Sequence, residues 1–181
     1  MAEADLVKLL ITGYAEHGND TVCEILAQKF GMTFVSSSYF CMNRAVIPWL
    51  AERGITYPTQ AACFIDRVNH RAEWHNAIAD YNTPDKARLG KELFAEADIY
   101  CGLRSFEEFA AQKRLRLFDF SIWVDAIRRV PPEHWSSITI RKEDCDFVLD
   151  NNRSLEDLQD NVKILHERLR RTAGLVGLRS L

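Results

Sequence analysis

Apolar and polar residues follow one another along the chain in a pattern that predicts strands and helices in turn. Strands that alternate with helices indicate a mainly parallel, five-stranded sheet with helices on both faces, which is an α/β fold. The five mostly apolar stretches typical of strands are LVKLLITG at 6–13, TFVSS at 33–37, DIYCGL at 98–103, FDFSIWVDA at 118–126 and DFVLDN at 146–151.

Helical spacing of apolar residues, together with start signals, predicts the helices between these strands. The last helix has an apolar stripe of five residues, Leu155, Leu158, Val162, Leu165 and Leu169. Helices are predicted at 19–30, around 42–53 with a kink at Pro48, around 59–81, from Thr83 and Pro84, from a Ser105–Glu108 capping box, and from a cap at Ser154.

Length and composition suit one globular domain over residues 1–181. Of the 181 residues, 47% are hydrophobic, which is enough for a sizeable core. The formal net charge of -3 gives no global attraction to polyanions, so nucleic-acid binding would need a local basic surface. The five cysteines are scattered, as expected for reduced thiols in a cytosol. Without a signal-peptide or membrane-span pattern, we expect a cytoplasmic protein; the oligomeric state stays open.

The turn between the first strand and the first helix has the glycine spacing of a phosphate-binding loop. Ligands bind parallel sheets at the carboxyl ends of the strands, and backbone N–H groups converge at a helix start, so this position suits a triphosphate tail. An ordinary βα turn that uses glycine for tightness is the alternative. The loop consists of Gly13, Tyr14, Ala15, Glu16, His17 and Gly18.

The residues that follow depart from the GxxxxGK[ST] signature of such loops. Asn19 stands where the signature has lysine, and loss of one such donor typically lowers a transfer rate by about 10²–10³. Asp20 stands where serine or threonine would contact magnesium, and its carboxylate is also an oxygen ligand; Thr21 offers a hydroxyl. Three explanations of Asn19 stay open: a natural variant with charge supplied by another residue, an engineered inactivating substitution, or loss of catalysis in favour of binding.

Several stretches resemble phage kinases. GYAEHGNDTVCEIL resembles the phosphate loop of phage deoxynucleoside monophosphate kinases, in which an aspartate also follows the lysine, and DFVLDNNRSLEDL resembles the strand, turn and helix that close this group. The middle of the chain, with VSSSYFC, ADYNTPDKARL, YCGLRSFEEF and FDFSIWVDA, is similar to phage P-loop kinases that phosphorylate the hydroxymethyl group of 5-hydroxymethyluracil in DNA.

The resemblance implies a three-layer P-loop kinase fold with a small lid, and ATP and Mg²⁺ as cofactors. It implies that Asp20 and Thr21 contact the metal and that the loop with Asn151 lies near the adenine. The implied reaction is phosphorylation of 5-hydroxymethyluracil in phage DNA, in the cytoplasm of a bacterial host. The alternatives are a deoxynucleoside monophosphate kinase and, because of Asn19, a nucleotide-binding protein without turnover.

Catalytic side chains are carried over where the pattern matches. After DIYCGL, related monophosphate kinases often have Asp-Val-Arg, whereas this chain keeps Arg104 and loses the acid. A carboxylate that organises magnesium or acts as a base must therefore come from elsewhere, and Asp66 and Asp125 are the candidates. For each of them, a surface or capping carboxylate is the alternative.

The segment 127–145 joins the fourth and fifth strands and is rich in arginine. In small P-loop kinases this region is commonly a lid whose arginines close over the phosphates and exclude water. Arg128, as a catalytic residue, and Arg129, as a nucleotide contact, are the candidates for that role, and a solvated basic loop is the alternative. The basic end at 170–181 is expected to be a solvated helix face and a loose tail.

Acceptor contacts are predicted on the long helix at 59–81. At 100° per residue, Arg71 and His75 fall inside the inward arc, with Arg67 and Trp74 beside it. The arginines could hold an acceptor phosphate and Trp74 could stack on a base; a buried ion pair and a core-rim tryptophan are the alternative. The residues that define the inward arc are Ala61, Phe64, Val68, Ala72 and Ile78.

Two serines after the second strand, Ser36 and Ser37, complete the predicted acceptor site. Their hydroxyls could contact the acceptor, and a simple helix cap is the alternative. A DNA acceptor demands an open, basic cleft that admits a strand or a flipped base, whereas a free deoxynucleotide demands a closed pocket. The small net charge favours the free nucleotide, and the resemblance of the middle region favours DNA.

Overall fold

All five predicted strands form and pair in one sheet in the computed structural model, which describes residues 7–175. The order across the sheet is β2-β3-β1-β4-β5, and every neighbouring pair is parallel. The predicted α/β fold is therefore confirmed. The strands are β1 (Leu9–Thr12), β2 (Phe34–Ser36), β3 (Ile99–Cys101), β4 (Phe120–Asp125) and β5 (Phe147–Asp150).

Helices fill the connections between the strands. A π-helical turn at Met42–Val46 joins α2 to α3, and a 3₁₀ turn at Lys142–Asp144 precedes β5. Within residues 7–175, no helix is long and apolar enough to cross a membrane. The helices are α1 (Asn19–Phe30), α2 (Ser37–Cys41), α3 (Ile47–Ala51), α4 (Gln60–Asp66), α5 (Arg71–Tyr81), α6 (Arg88–Glu96), α7 (Phe106–Arg114) and α8 (Leu155–Leu175).

Helices cover both faces of the sheet. Alternate residues of each strand point to opposite faces, and both sets include buried side chains. Leu9 and Ile122 pack with the apolar faces of α1 and α8, whereas Leu10 and Trp123 pack with α6 and α7 on the other side. A smaller cluster built by the segment from α2 to α5 packs around Leu50. The result is the three-layer arrangement predicted from the sequence.

The predicted long helix at 59–81 is wrong, because the chain breaks between α4 and α5. The Asp66 carboxylate accepts hydrogen bonds from the Asn69 side chain and the Tyr57 hydroxyl, both at 2.7 Å. Short polar side chains that bond to nearby groups compete with a continuing helix. The change of direction also makes the inward arc wrong, since three of its members are exposed: Ala61, Val68 and Ala72.

Three smaller boundaries also differ from the expectation. Helical structure begins at Ser37 rather than near 42, and Pro48 lies at the start of α3 directly after the π-helical turn. The helix expected from Thr83 begins at Arg88, because an Asp85 turn, in which the carboxylate accepts from the Ala87 N–H at 2.9 Å, comes first. In α8 the stripe is buried except for Leu155. Of the basic end, residues 176–181 lie outside the described residues.

Candidate active site

The phosphate loop, residues Gly13–Gly18, follows the central strand β1 and leads into α1. Glu16 and Gly18 have left-handed backbone conformations, with φ of 62° and 96°. Alternation of this kind turns successive N–H groups towards one concavity that suits an anion. Over the described part of the chain, no protein acceptor takes the N–H groups of Glu16, Gly18, Asn19, Asp20 or Thr21.

Both loop glycines are required by close approach of neighbouring atoms. A Cβ on Gly13 would lie 2.6 Å from the carbonyl oxygen of Val124, and a Cβ on Gly18 would lie 2.4 Å from the Asn151 Nδ2 atom. The glycine spacing therefore reflects a loop packed against the ends of β4 and β5. An ordinary turn needs no such approach on both sides.

Asn19 uses its amide inside the loop. Its Nδ2 donates to the carbonyl oxygens of Gly13 at 3.2 Å and Tyr14 at 3.3 Å. Its Oδ1 is buried and has no hydrogen-bond partner among residues 7–175. In this arrangement Asn19 stabilises the loop from within, and positive charge for a bound phosphate has to come from other residues.

His17 and Asn151 fasten the loop to the rest of the site. The fully buried His17 ring accepts from the Ala126 N–H at its Nδ1 atom, at 3.0 Å. The proton is therefore on Nε2, which donates to the Val130 carbonyl at 3.1 Å. Asn151 Nδ2 donates to the His17 carbonyl at 2.8 Å. The predicted adenine-side residue Asn151 thus also holds the phosphate loop.

The predicted metal contacts lie in the first turn of α1. Asp20 is exposed, and its Oδ1 accepts from the Cys101 thiol at 3.4 Å. The neighbouring Cys23 thiol, together with burial, raises the pKa of Cys101, so this group stays a protonated donor. Residues 7–175 contain no cluster of three His, Cys, Asp or Glu side chains that could hold a metal alone. Magnesium at Asp20 and Thr21 would therefore share its coordination with phosphate oxygens.

A cleft of about 510 Å³ opens beside Asp20 and is called the Asp20 cleft below. Two predicted acceptor residues, Ser36 and Arg67, line it. The Arg67 guanidinium lies 3.9 Å over the Phe64 ring and donates to the Phe64 carbonyl at 2.7 Å, which fixes its position. The lining residues are Asp20, Glu24, Phe34, Val35, Ser36, Tyr39, Phe64 and Arg67. A larger cleft of about 640 Å³, lined by residues between 43 and 60, contains none of the predicted site residues.

The other predicted acceptor residues lie elsewhere. Arg71 and His75 are exposed on α5, so their predicted inward position is wrong. Trp74 is buried in the small cluster against Phe64, where its indole N–H finds no acceptor within the described chain. Ser37 donates to the Gly102 carbonyl at 3.2 Å at the end of β3.

The two candidate carboxylates have structural partners. Asp125 accepts from the Ile127 N–H at 3.0 Å and so closes the turn that follows β4. Asp66 accepts from Asn69 and Tyr57, and these hydrogen bonds hold the pKa of Asp66 below its ordinary value. Burial and the Asp66 contact raise the pKa of Tyr57 to about 12. These contacts suit the capping alternative, while catalytic roles for both carboxylates stay predictions.

Two predicted arginines, Arg104 and Arg129, are linked to the loop through Glu133 and Asn151, and Glu133 is a residue that the sequence pattern did not single out. Arg104 Nη1 lies 2.7 Å from Glu133 Oε2, and the same oxygen accepts from the Ala15 N–H at 2.7 Å. Arg129 Nε donates to the Asn151 carbonyl at 2.8 Å, and the Arg128 side chain is exposed. An acidic residue inside an arginine-rich segment was the available signal for Glu133.

The lid segment, residues 127–145, is anchored at its far end. Ile138 and Ile140 are buried in the core, and the Thr139 N–H donates to the Arg104 carbonyl at 2.9 Å. Between these anchors and β4, the tip is exposed, with Trp135 78% accessible. Within this segment the buried anchors therefore hold the far end and leave the tip exposed.

Solved structures with a similar fold include shikimate kinases. Shikimate kinase from Aquifex aeolicus matches 89% of this chain and 96% of its own, with 12% identity and a TM-score of 0.52. The fold is that of a P-loop kinase. The match with shikimate kinase from Acinetobacter baumannii, solved with shikimate, covers 92% of this chain and 94% of the kinase chain, with 15% identity and a TM-score of 0.52. The match with a Thermus thermophilus protein covers 90% of this chain and 97% of that protein, with 18% identity and a TM-score of 0.52.

Searches with the sequence alone find no matching protein family and no matching curated protein. At identities of 12–18% the structural likeness establishes the fold only. The reaction has to be argued from the chemistry of the site.

Proposed function

We propose that the chain is an ATP-dependent phosphotransferase. The observation that carries the proposal is a phosphate loop with unclaimed N–H groups that opens directly beside the Asp20 cleft. A donor site and an acceptor site in contact are what phosphoryl transfer needs, because its catalysis consists mainly of positioning and charge stabilisation. The P-loop kinase fold supports the same class of reaction.

When bound, ATP with Mg²⁺ supplies the phosphoryl group. The N–H groups of Glu16 and of Gly18 to Thr21 fit its phosphates, and the Asp20 and Thr21 oxygens fit the metal. Arg104 and Arg128 replace the charge that Asn19 lacks, since a planar guanidinium pairs with two phosphate oxygens. Arg129 and Asn151 hold the strand ends on the nucleotide side.

The charges of the Asp20 cleft favour a neutral hydroxyl as the acceptor. Its charged lining residues are two carboxylates, Asp20 and Glu24, and one guanidinium, Arg67. A dianionic acceptor phosphate would be repelled by that balance, whereas a hydroxyl would not. In the transfer, the hydroxyl oxygen would bond to the γ-phosphorus of ATP while the bond from that phosphorus to the bridging oxygen breaks and ADP leaves. The hydroxyl proton would pass to Glu24, since Asp20 is assigned to the metal.

Within hydroxyl acceptors, we propose the hydroxymethyl group of 5-hydroxymethyluracil in DNA as the first candidate. The cleft is open, although with two carboxylates and one guanidinium it is not basic, and Tyr39, 49% exposed, and Phe64 offer aromatic edges for a flipped base. The resemblance of the middle of the chain to phage DNA-base kinases supports the same acceptor. A deoxynucleoside monophosphate, held by Arg67, is the second candidate.

The test offers γ-labelled ATP and magnesium with either DNA that contains 5-hydroxymethyluracil or a panel of deoxynucleoside monophosphates. Label on the DNA supports the proposal. Label on one monophosphate would identify that nucleotide as the acceptor, and the protein would still be a phosphotransferase. Label nowhere, in a protein that binds ATP, means a nucleotide-binding protein without turnover.

Asn19→Lys separates the explanations of the missing lysine. If the asparagine is inactivating, lysine should raise the transfer rate about tenfold or more, because a cation then faces the phosphates. An unchanged rate in a protein that already transfers means that an arginine supplies the charge. Melting temperature serves as the control for loop integrity, since Asn19 also bonds to Gly13 and Tyr14.

A further inference from the structure

Glu133 occupies a place at the phosphate loop that an anion would otherwise take. A single oxygen, Oε2, accepts from the Ala15 N–H and from the Arg104 guanidinium, each at 2.7 Å. The Glu133 side chain is 19% exposed and the Arg104 side chain 41%, so the contact is partly buried. The partners are 118 and 29 positions away in the chain, which means that the fold, rather than local geometry, brings them together.

One loop N–H and one guanidinium form a donor pair that suits a phosphoryl oxygen as well as a carboxylate oxygen. We infer that Glu133 is a built-in competitor of phosphate, which occupies the Ala15–Arg104 subsite in the free protein and is displaced when a polyphosphate binds. The inference rests on the proposed function and deepens it, because it specifies the contact of the lid segment that is lost when a polyphosphate binds, that of Glu133 with Ala15 and Arg104.

The anchors of the lid segment make such a displacement local. On one side of Glu133, the Val130 carbonyl accepts from His17. On the other side, the Ser137 carbonyl lies 3.4 Å from Arg104 Nη1, and Ile138 is buried. Only residues 131–136 have to move, and apart from Glu133 they are exposed.

The missing lysine increases the effect of this contact. Asn19 brings no charge to the loop, whereas Arg104 places a cation beside the carboxylate that the Ala15 N–H contacts. While Glu133 neutralises Arg104, the empty loop attracts anions weakly. Displacement of Glu133 exposes the guanidinium and one more N–H at the moment when a phosphate arrives.

The test compares Glu133→Gln with Glu143→Gln, an exposed glutamate of the same lid segment, so that both variants lose the same charge. Binding of sodium tripolyphosphate, measured by isothermal titration calorimetry, should be about tenfold tighter in Glu133→Gln, as expected for one charge-assisted hydrogen bond. Glu143→Gln should match the unchanged protein. Adding Arg104→Gln should abolish the gain.

Equal tripolyphosphate affinity in Glu133→Gln and the unchanged protein would overturn the inference, while leaving transfer from ATP to be judged separately. No binding by any of the proteins would overturn both the inference and the proposed function. Hydrogen exchange of the unchanged protein provides a readout that needs no variant. Tripolyphosphate should speed amide exchange in residues 131–136, and slower or unchanged exchange there would contradict displacement.

Discussion

Gly18→Ala tests whether the phosphate loop is shaped by its contact with the end of β5. The left-handed backbone at Gly18, with φ of 96°, costs a residue with a Cβ roughly 1–2 kcal/mol. The new Cβ would also lie 2.4 Å from Asn151 Nδ2 and displace that amide from the His17 carbonyl. Loss of one such hydrogen bond costs about 1 kcal/mol. We therefore expect the free energy of unfolding to fall by about 2–3 kcal/mol.

Gly31→Ala is the matched control. Gly31 also has a left-handed backbone, with φ of 71°, but nothing lies within 4 Å of a Cβ placed there. Its cost should be the backbone term alone, about 1–2 kcal/mol. The effect of the added methyl group on the unfolded chain is common to both variants and cancels in the comparison.

Urea denaturation followed by circular dichroism measures both variants, and in Gly18→Ala the melting temperature should fall by about 4–12 °C. In an Asn151→Ala background the extra cost of Gly18→Ala should shrink, because the clash partner is gone. ATP affinity should fall in Gly18→Ala and stay unchanged in Gly31→Ala. Equal destabilisation by the two alanines in the unchanged background, or an undiminished difference between them in the Asn151→Ala background, would refute the packing argument for the loop.

Two further predictions concern the acceptor cleft and the core. Arg67→Ala should raise the KM for the acceptor about tenfold or more with little change in ATP affinity, since Arg67 lines the Asp20 cleft. The control Arg71→Ala, at an exposed position on α5, should change neither quantity. The reverse pattern would move the acceptor site to α5. Burial raises the pKa of Glu108 above 4.5, so its contribution to stability is greatest below that pH and is lost as pH rises through the folded pKa. Glu108→Gln should therefore raise the melting temperature at pH 8 and not at pH 4. A higher melting temperature at both pH values would contradict burial of the ionised carboxylate as the cause.

The strands and the phosphate loop could be predicted because their signals are local. Leu9 to Thr12 are all buried, as an uninterrupted apolar run in a parallel sheet requires. Gly13 and Gly18 are glycines because atoms of Val124 and Asn151 lie too close to these positions to leave room for a side chain. These requirements act within a few residues, so they leave a mark in the sequence.

The helix break and the inward arc could not be predicted from spacing alone. The residues from 59 to 81 fit helical periodicity, but Asp66 bonds to Tyr57 from the preceding loop and to Asn69 from its own turn. That arrangement depends on the position of a loop that periodicity does not describe. Once the axis turns after Asp66, Arg71 and His75 no longer share a face with Phe64.

The Glu133 contact was missed for a different reason. Ala15 and Glu133 are separated by 118 positions, and neither residue type signals the other. Asn19 was predicted to leave the loop without the charge of the signature lysine, and its amide bonds to Gly13 and Tyr14. The Glu133 contact is tertiary, since it depends on how the loop and the lid segment meet, whereas the Asn19 bonds depend on the conformation of the loop itself.

The most direct test of the account is transfer from γ-labelled ATP by the unchanged protein, with magnesium, to two duplexes that differ only in 5-hydroxymethyluracil or thymine. The account predicts label on the first duplex and none on the second, because only the first offers a hydroxyl to the Asp20 cleft. Label on neither duplex nor on any monophosphate, in a protein that binds ATP, would contradict a phosphotransferase.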